Sequence, residues 1–193
     1  MHTISRDAPC YYLTSVTKSR LPVFRTEEMR HVTCNALNEA RQSGGFSLYA
    51  YVIMPDHFHL ITDSALSASR TLQFVNGITS RRIIDYLKAH NHRNSLEKLR
   101  HEIRPRRYSY SVWDHHSDVR LLLTENMLMQ RVNYTHQNPV RAGLAKHVEE
   151  YRASSVRCWS GKLLDDEPLV MNLDRIRWRR SLQNNSPNLS GKP

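Results

Sequence analysis

Two histidines separated by one apolar residue, His57 and His59, are well placed in this sequence to share a ligand. They open the run at residues 57–62, whose apolar and β-branched content favours a β-strand. Because side chains alternate across a strand, both imidazoles lie on one face and can converge on a divalent ion. A polar, half-solvated strand face is the plainer interpretation, and the pair alone leaves both open.

A second group of chemically capable residues lies far downstream, within residues 133–144. On a helix, Tyr134 and Asn138 are neighbours because they are four residues apart, and Gln130 lies on the same face. Tyrosine can be a covalent nucleophile, and an amide oxygen can join two imidazoles around Mg²⁺ or Mn²⁺. Such an ion would polarise a scissile phosphate. A packed tyrosine and an Asn-Pro helix stop explain the same residues without chemistry.

The elements that would position these residues alternate between strand and helix. Strands are predicted at residues 10–17, 46–54, 57–63 and 108–113, and helices at 27–44, 67–90 and 125–138, the last ended by Pro139. This order predicts an α+β, ferredoxin-like split βαβ fold. We expect one four-stranded antiparallel sheet with helices on one face, and an additional helix that carries Tyr134.

Composition narrows the class of partner. The 193-residue chain has 28 Lys and Arg against 18 Asp and Glu, a formal charge of +10, which favours nucleic acid as the partner. No apolar run is long enough for a membrane span, and the first residues lack the apolar core of a signal peptide. Three widely spaced cysteines argue against a disulfide framework or a cysteine zinc site and fit a reducing cytoplasm.

Basic segments supply candidates for contacts with DNA phosphates. Residues 91–107 are either a loop that faces nucleic acid or a solvated connector, and residues 176–180 could clamp a bound hairpin or cover the site. We expect a catalytic domain over residues 1–160 and a basic, partly disordered tail over residues 161–193. The candidate DNA-contacting residues are Arg81, Arg82, Arg104, Arg106, Arg107, Arg177, Arg179 and Arg180.

Residues 51–60, Tyr-Val-Ile-Met-Pro-Asp-His-Phe-His-Leu, resemble the histidine–hydrophobic–histidine (HUH) signature of single-tyrosine transposases. Residues 133–144, Asn-Tyr-Thr-His-Gln-Asn-Pro-Val-Arg-Ala-Gly-Leu, resemble the tyrosine motif of their REP-associated branch (RAYT). The two motifs occur in the expected order, and the resemblance covers roughly residues 8–160. Asp56 stands where the family more often has Asn or Glu before the first histidine.

This resemblance implies a ferredoxin-like fold and a Mg²⁺-dependent endonuclease and strand transferase that acts on single-stranded DNA. It implies that His57 and His59 bind the metal, that Asn138 is the third ligand, and that Tyr134 forms a 5′-phosphotyrosine. The implied partners are single-stranded DNA hairpins of repetitive extragenic palindromes. The implied location is the bacterial cytoplasm, in association with the nucleoid. No nucleotide cofactor and no membrane partner are expected, and a monomer is favoured over a dimer.

Three other functions fit parts of the same pattern. A domesticated protein would bind DNA hairpins without cutting them, and a hydrolytic metallonuclease would cut without Tyr134. An RNA-binding module could share the βαββαβ fold, but its central strands would display stacking aromatics where this chain has His57 and His59. The presence of all four candidate chemical residues favours an active transposase-like enzyme.

Overall fold

The computed structural model describes residues 4–105, 107–114 and 117–179. The strands are β1 (Cys10–Val16), β2 (Leu48–Ile53), β3 (His57–Asp63), β4 (Arg100–Arg104), β5 (Arg107–Tyr110) and β6 (Asp118–Leu122). The α-helices are α1 (Glu27–Gly44), α2 (Ala68–Ala89), α3 (Arg93–Leu99), α4 (Glu125–Arg141) and α5 (Val156–Ser160). Short 3₁₀ helices lie at Lys18–Arg20, Val148–Glu150 and Leu173–Arg175. None of the described helices is long and apolar enough to cross a lipid bilayer.

The main sheet has four antiparallel strands in the order β2-β3-β1-β6. With β6 as the fourth strand, this is the split βαβ, ferredoxin-like topology that the sequence predicts. The central pair, β1 and β3, places Thr14 opposite His59 and Val16 opposite His57. The strand that carries both histidines therefore lies inside the sheet, paired on either side.

The prediction that residues 108–113 form the fourth strand of the main sheet is wrong. Residues 107–110 form β5, which pairs with β4 in a separate two-stranded sheet, and β6 takes the edge position beside β1. The alternating Tyr-Ser pattern suits the two-sided environment of a hairpin equally well. The true edge strand has little apolar alternation, because Asp118, Arg120 and Leu121 are exposed there.

The two faces of the sheet bury different cores. Phe58 and Leu60 of β3 pack with α1 and α2, the two helices predicted on one face. Ile61, from the opposite face of β3, packs with Leu128 and Val132 of α4. The helix that carries Tyr134 thus covers the face to which His57 and His59 belong, and the expectation of an additional helix is confirmed.

Residues 161–179 pack against the domain, although they were predicted as part of a tail. Asn172 accepts from the Leu48 N–H through its side chain (3.0 Å) and donates from its own N–H to the Leu48 carbonyl (2.8 Å), which covers the edge of β2. Ile176 is fully buried and forms a β-bridge with Ser5. The division at residue 160 therefore does not mark the end of the packed structure, and residues 180–193 lie outside the described part of the chain.

A buried ion pair fixes this C-terminal segment. Arg157 donates to both carboxylate oxygens of Glu167, at 2.9 and 2.7 Å, and both side chains are almost fully buried. Arg157 also donates to four backbone carbonyls, so the remaining guanidinium donors are satisfied. Geometry of this quality makes a buried pair costly to break, because the surviving charge is left without its partner.

We expect Glu167→Ala to lower the free energy of unfolding by about 3–5 kcal/mol, because Arg157 would remain buried and unpaired. Urea-induced unfolding of the purified variant measures this loss. Asp166→Ala is the matched control: Asp166 pairs with Arg152 at 2.7 Å on the exposed surface, where a pair contributes at most about 1 kcal/mol. Equal midpoints for the two variants would contradict a structural role for the buried pair.

Candidate active site

A tight turn presents the two histidines. The Met54 N–H donates to the His57 carbonyl at 2.8 Å, which leaves Pro55 and Asp56 as the two turn residues. Their carbonyls accept from the backbone N–H groups of Phe24 (2.9 Å) and Thr17 (2.8 Å), so the turn is held from the β1–α1 connection. On the opposite face of β3, Phe58 packs edge-on against Trp113 at a centroid distance of 5.0 Å.

His57 is oriented by a carboxylate. Its Nδ1 lies 2.6 Å from Asp56 Oδ1, and the other carboxylate oxygen accepts from Arg20 at 3.0 Å. Burial raises the pKa of Asp56, but the hydrogen bonds from His57 and Arg20 outweigh it and the net shift is downward. Asp56 is thus an ionised acceptor that holds a proton on Nδ1 of His57, which leaves Nε2 as the free lone pair.

His59 is oriented by two hydroxyls of β1. Its Nδ1 lies 2.8 Å from the Tyr12 hydroxyl and 3.0 Å from Thr14 Oγ1. Burial, followed by the charges of His57 and Arg131, lowers the pKa of His59 to about 3, so its imidazole is neutral at physiological pH. With Nδ1 hydrogen-bonded, Nε2 is again the nitrogen left for a ligand, and the two imidazole centroids lie 4.9 Å apart.

Helix α4 brings Tyr134 to these histidines. Thr124 caps the helix as predicted by accepting from the Met127 N–H at 3.2 Å, and buried Leu128 and Val132 fix its inner face. The Tyr134 ring meets the His59 ring edge-on at a centroid distance of 5.5 Å. Tyr134 remains 37% exposed, so its phenol is accessible to a large substrate.

The second tyrosine at His59 is unsuitable as a nucleophile. Tyr12 is only 3% exposed, and its hydroxyl is engaged with His59. Burial also raises the pKa of Tyr12, which keeps the phenol protonated. Among the described residues two tyrosines touch His59, and of these two Tyr134 is the one exposed to a phosphodiester.

Asn138 follows Tyr134 by one helical turn. Its amide nitrogen donates weakly to the Tyr134 carbonyl at 3.5 Å, which leaves the side-chain oxygen as the atom available to a cation. The sequence predicts that Pro139 ends this helix, but the helix continues to Arg141. Proline removes only its own N–H from the ladder, and the Ala142 N–H still donates to the Asn138 carbonyl at 3.0 Å.

Two arginines that sequence reasoning missed lie against the site tyrosines. The Arg131 guanidinium is 5.0 Å from the centroid of Tyr12, and the Arg141 guanidinium is 5.4 Å from the centroid of Tyr134. They stand three residues before and seven residues after Tyr134, spacings that place both on its side of the helix. That spacing was the available signal, and it places two cations where a phosphate would approach the phenol.

The predicted DNA-contacting arginines are not gathered at this site. Arg82 donates to both carboxylate oxygens of Glu39, and Arg81 lies 3.9 Å from Asp85, both on the face of the sheet that bears α1 and α2. Arg177 and Arg179 donate to the carbonyls of Ser5 and Trp159, which ties the end of the described chain to the domain. Arg104 and Arg107 belong to the β4–β5 hairpin, whereas Arg106 and Arg180 lie outside the described residues.

The residues present fit a divalent cation. Both histidines have Nδ1 engaged and Nε2 free, the arrangement that protein metal sites use to fix a ligating imidazole. Within the described residues, no cluster of three or more His, Cys, Asp or Glu side chains could hold a metal. A third ligand to an ion held by the histidine pair would be of another kind, and the amide oxygen of Asn138 suits Mg²⁺ or Mn²⁺.

We expect Asp56→Asn to weaken Mn²⁺ binding by the two histidines about 10- to 100-fold, because an amide no longer holds the proton on Nδ1 of His57. Calorimetric titration with Mn²⁺ measures the effect. Arg20→Ala is the matched control, since it removes the exposed arginine from Asp56 but keeps the 2.6 Å contact with His57. If Asp56→Asn bound Mn²⁺ as tightly as Arg20→Ala, Asp56 would not position the histidine.

Comparisons with known proteins place these motifs in context. The family model described as IS200-like transposase matches residues 8–118, a span that includes both histidines and ends before Tyr134. A solved structure described as the REP-associated tyrosine transposase bound to a REP hairpin is similar in fold, with a TM-score of 0.58 and 16% identity, over 84% of this chain and 86% of that one.

A crystal structure of a candidate transposase from Deinococcus radiodurans shares 23% identity over 65% of this chain and 86% of that one. Its TM-score of 0.46 is too low to support an argument from structure. No curated protein matches the chain. The family model therefore bears on the family of this chain, and the first of these structures bears on its fold.

Proposed function

The chain belongs to the IS200-like transposase family, and on that premise we propose that it cleaves single-stranded DNA hairpins through a covalent bond between Tyr134 and DNA. The observation that carries this proposal is the contact of an exposed tyrosine, 5.5 Å between ring centroids, with a histidine pair whose Nε2 atoms are free. The first solved structure above is described as bound to a REP hairpin, which supports REP-like hairpins as the substrate class.

The proposed reaction is a transesterification at phosphorus. The Tyr134 phenol loses its proton to solvent, and its oxygen bonds to the scissile phosphorus while the bond to the 3′-oxygen breaks. The products are a 5′-phosphotyrosine and a 3′-hydroxyl that has taken a proton from solvent. Because one phosphoester replaces another, the energy for resealing is conserved and no nucleotide cofactor is required.

The chain's own residues supply orientation and charge. The imidazole Nε2 atoms of His57 and His59 with the Asn138 amide oxygen would hold Mg²⁺ or Mn²⁺, which when bound polarises the scissile phosphate. Arg131 and Arg141 would bind the non-bridging oxygens and oppose the charge that builds on them. Tyr12, Thr14 and Asp56 keep the two imidazoles in place before DNA arrives.

The proposal is tested with end-labelled single-stranded hairpin DNA on a denaturing gel. We expect a slowly migrating protein–DNA adduct with Mg²⁺ and none with EDTA. Cutting without an adduct would indicate a hydrolytic nuclease instead. Tight binding without cutting across many hairpin sequences would indicate a domesticated DNA-binding protein.

A further inference from the structure

A groove on the other side of the sheet has an apolar floor and a partly aromatic rim. It has a volume of about 540 Å³ and lies between the loop before α1, the C-terminal end of α2, and α3. Leu21, Val23, Leu87 and Leu99 supply apolar surface within it. The groove belongs to the face covered by α1 and α2, so it is separate from the histidine pair.

Three aromatic rings with nearly parallel planes stand at one end of this groove. Tyr86 and His90 stack with centroids 4.1 Å apart, and His92 lies 6.0 Å from Tyr86 with an angle of 19° between the ring planes. Tyr86 and His92 line the groove itself, and His90 and His92 are exposed. Exposed parallel rings beside an apolar floor offer stacking surface to an unpaired base.

The charge at the rim favours a polyanion. Arg25 and Lys98 line the groove beside a single acidic residue, Glu28, and neither cation makes an ion pair within the described residues. Glu28 remains ionised, because hydrogen bonds with its own backbone N–H and with Thr26 lower its pKa, so the rim carries two cations and one carboxylate. Two unpaired cations next to stacking rings are the combination that single-strand binding proteins use.

The groove also continues toward the active-site turn. A neighbouring cavity of about 810 Å³ shares Arg25, Glu28 and Tyr86 with it and is lined at another point by Pro55. Pro55 stands two residues before His57 in the turn that presents the histidines. A strand that leaves the groove toward that turn would pass Arg30 and Arg152. It would also pass Glu27, Glu150 and Asp166, of which Glu27 and Asp166 are paired with Arg152.

We propose that this groove is a second DNA-binding site, which holds single-stranded DNA continuous with the hairpin by stacking bases on Tyr86 and His92 and binding phosphates through Arg25 and Lys98. The proposal rests on the proposed function in one respect, that the ligand is DNA. Ring stacking tolerates any base, so the site adds affinity for unpaired DNA without reading its sequence.

The test compares a labelled blunt hairpin with the same hairpin carrying about ten unpaired thymidines at either end, a length within the range of known single-strand sites. Fluorescence anisotropy without divalent metal measures binding by the full-length chain. We expect the extension at one end to tighten binding about tenfold. Tyr86→Ala and His92→Ala should remove that gain, and Tyr86→Phe should keep it, while all three leave binding of the blunt hairpin unchanged.

Because Tyr86 also packs against the core, exposed His92 provides the variant that tests the groove without a risk to folding. An extension that adds no affinity in the wild type would overturn the proposal. So would an equal loss for blunt and extended hairpins in His92→Ala. A chain that binds thymidine oligomers through Tyr86 and His92 but forms no adduct with hairpins would retain this site and lose the proposed function.

Discussion

Tyr134→Phe is expected to reduce cleavage of a hairpin substrate by about 10⁴-fold or more, to the background rate, because the exposed phenol beside His59 is removed. Phenylalanine keeps the edge-on contact with the imidazole at 5.5 Å, so the packing of α4 is preserved. Single-turnover cleavage measured on a denaturing gel gives the rate. Hairpin affinity should stay within about twofold of wild type, since a lone exposed hydroxyl contributes little to a charge-dominated interface.

The matched control for this variant is Tyr12→Phe, which removes the other hydroxyl near His59. We expect a smaller loss there, because Thr14 still holds Nδ1 of His59 at 3.0 Å. If Tyr134→Phe cut as fast as wild type, Tyr134 would not be the nucleophile and a water-dependent nuclease would be the better account. A larger loss of cleavage rate in Tyr12→Phe than in Tyr134→Phe would also contradict the assignment of Tyr134 as the nucleophile.

His57→Ala is expected to lower the cleavage rate about 10²- to 10³-fold at a fixed Mg²⁺ concentration, because one imidazole alone cannot hold the ion against solvent. Calorimetric titration with Mn²⁺ should show the loss of binding directly. His57 is the better of the two positions to substitute, because its Nδ1 partner, Asp56, is partly exposed and can be solvated when the imidazole is removed. Replacing His59 would also remove a hydrogen-bond partner from the buried hydroxyl of Tyr12 and from the half-buried hydroxyl of Thr14.

His31→Ala is the control for this variant, because His31 is an exposed histidine on α1, away from the site. It should cleave and bind Mn²⁺ as the wild type does. Unchanged Mn²⁺ binding by His57→Ala would show that the pair is not a metal site. The histidines would then serve only to orient Tyr134 and the phosphate.

The elements of this fold with strong local signals could be predicted from sequence. Thr26 and Gly45 mark the ends of α1 through a side-chain cap and a left-handed residue at φ 63°, both of which are local effects. The strand of His57 and His59 was predicted for the same reason, since alternation and the Pro-Asp turn act within a few residues. Edge strand β6 had no such signal. Its exposed residues Asp118, Arg120 and Leu121 do not alternate with buried apolar ones.

The candidate site residues are a prediction from sequence, whereas the contacts that surround them depend on the fold. The pairing of Thr14 with His59 across β1 and β3 depends on sheet register, which no local pattern specifies. The same is true of Tyr12, whose hydroxyl reaches His59 from 47 residues away in the chain. The packing of residues 161–179 depends on the Arg157–Glu167 pair, two charged residues whose burial is apparent only once the segment has folded back.

Mapping the covalent adduct is the measurement that tests the central claim most directly. The protein is incubated with single-stranded hairpin DNA and Mg²⁺, digested with nuclease and protease, and analysed by tandem mass spectrometry. The account predicts a nucleotide joined through its 5′-phosphate to the tyrosine of the peptide that contains Tyr134. A nucleotide on any other residue, or DNA cut with no modified peptide, would contradict it.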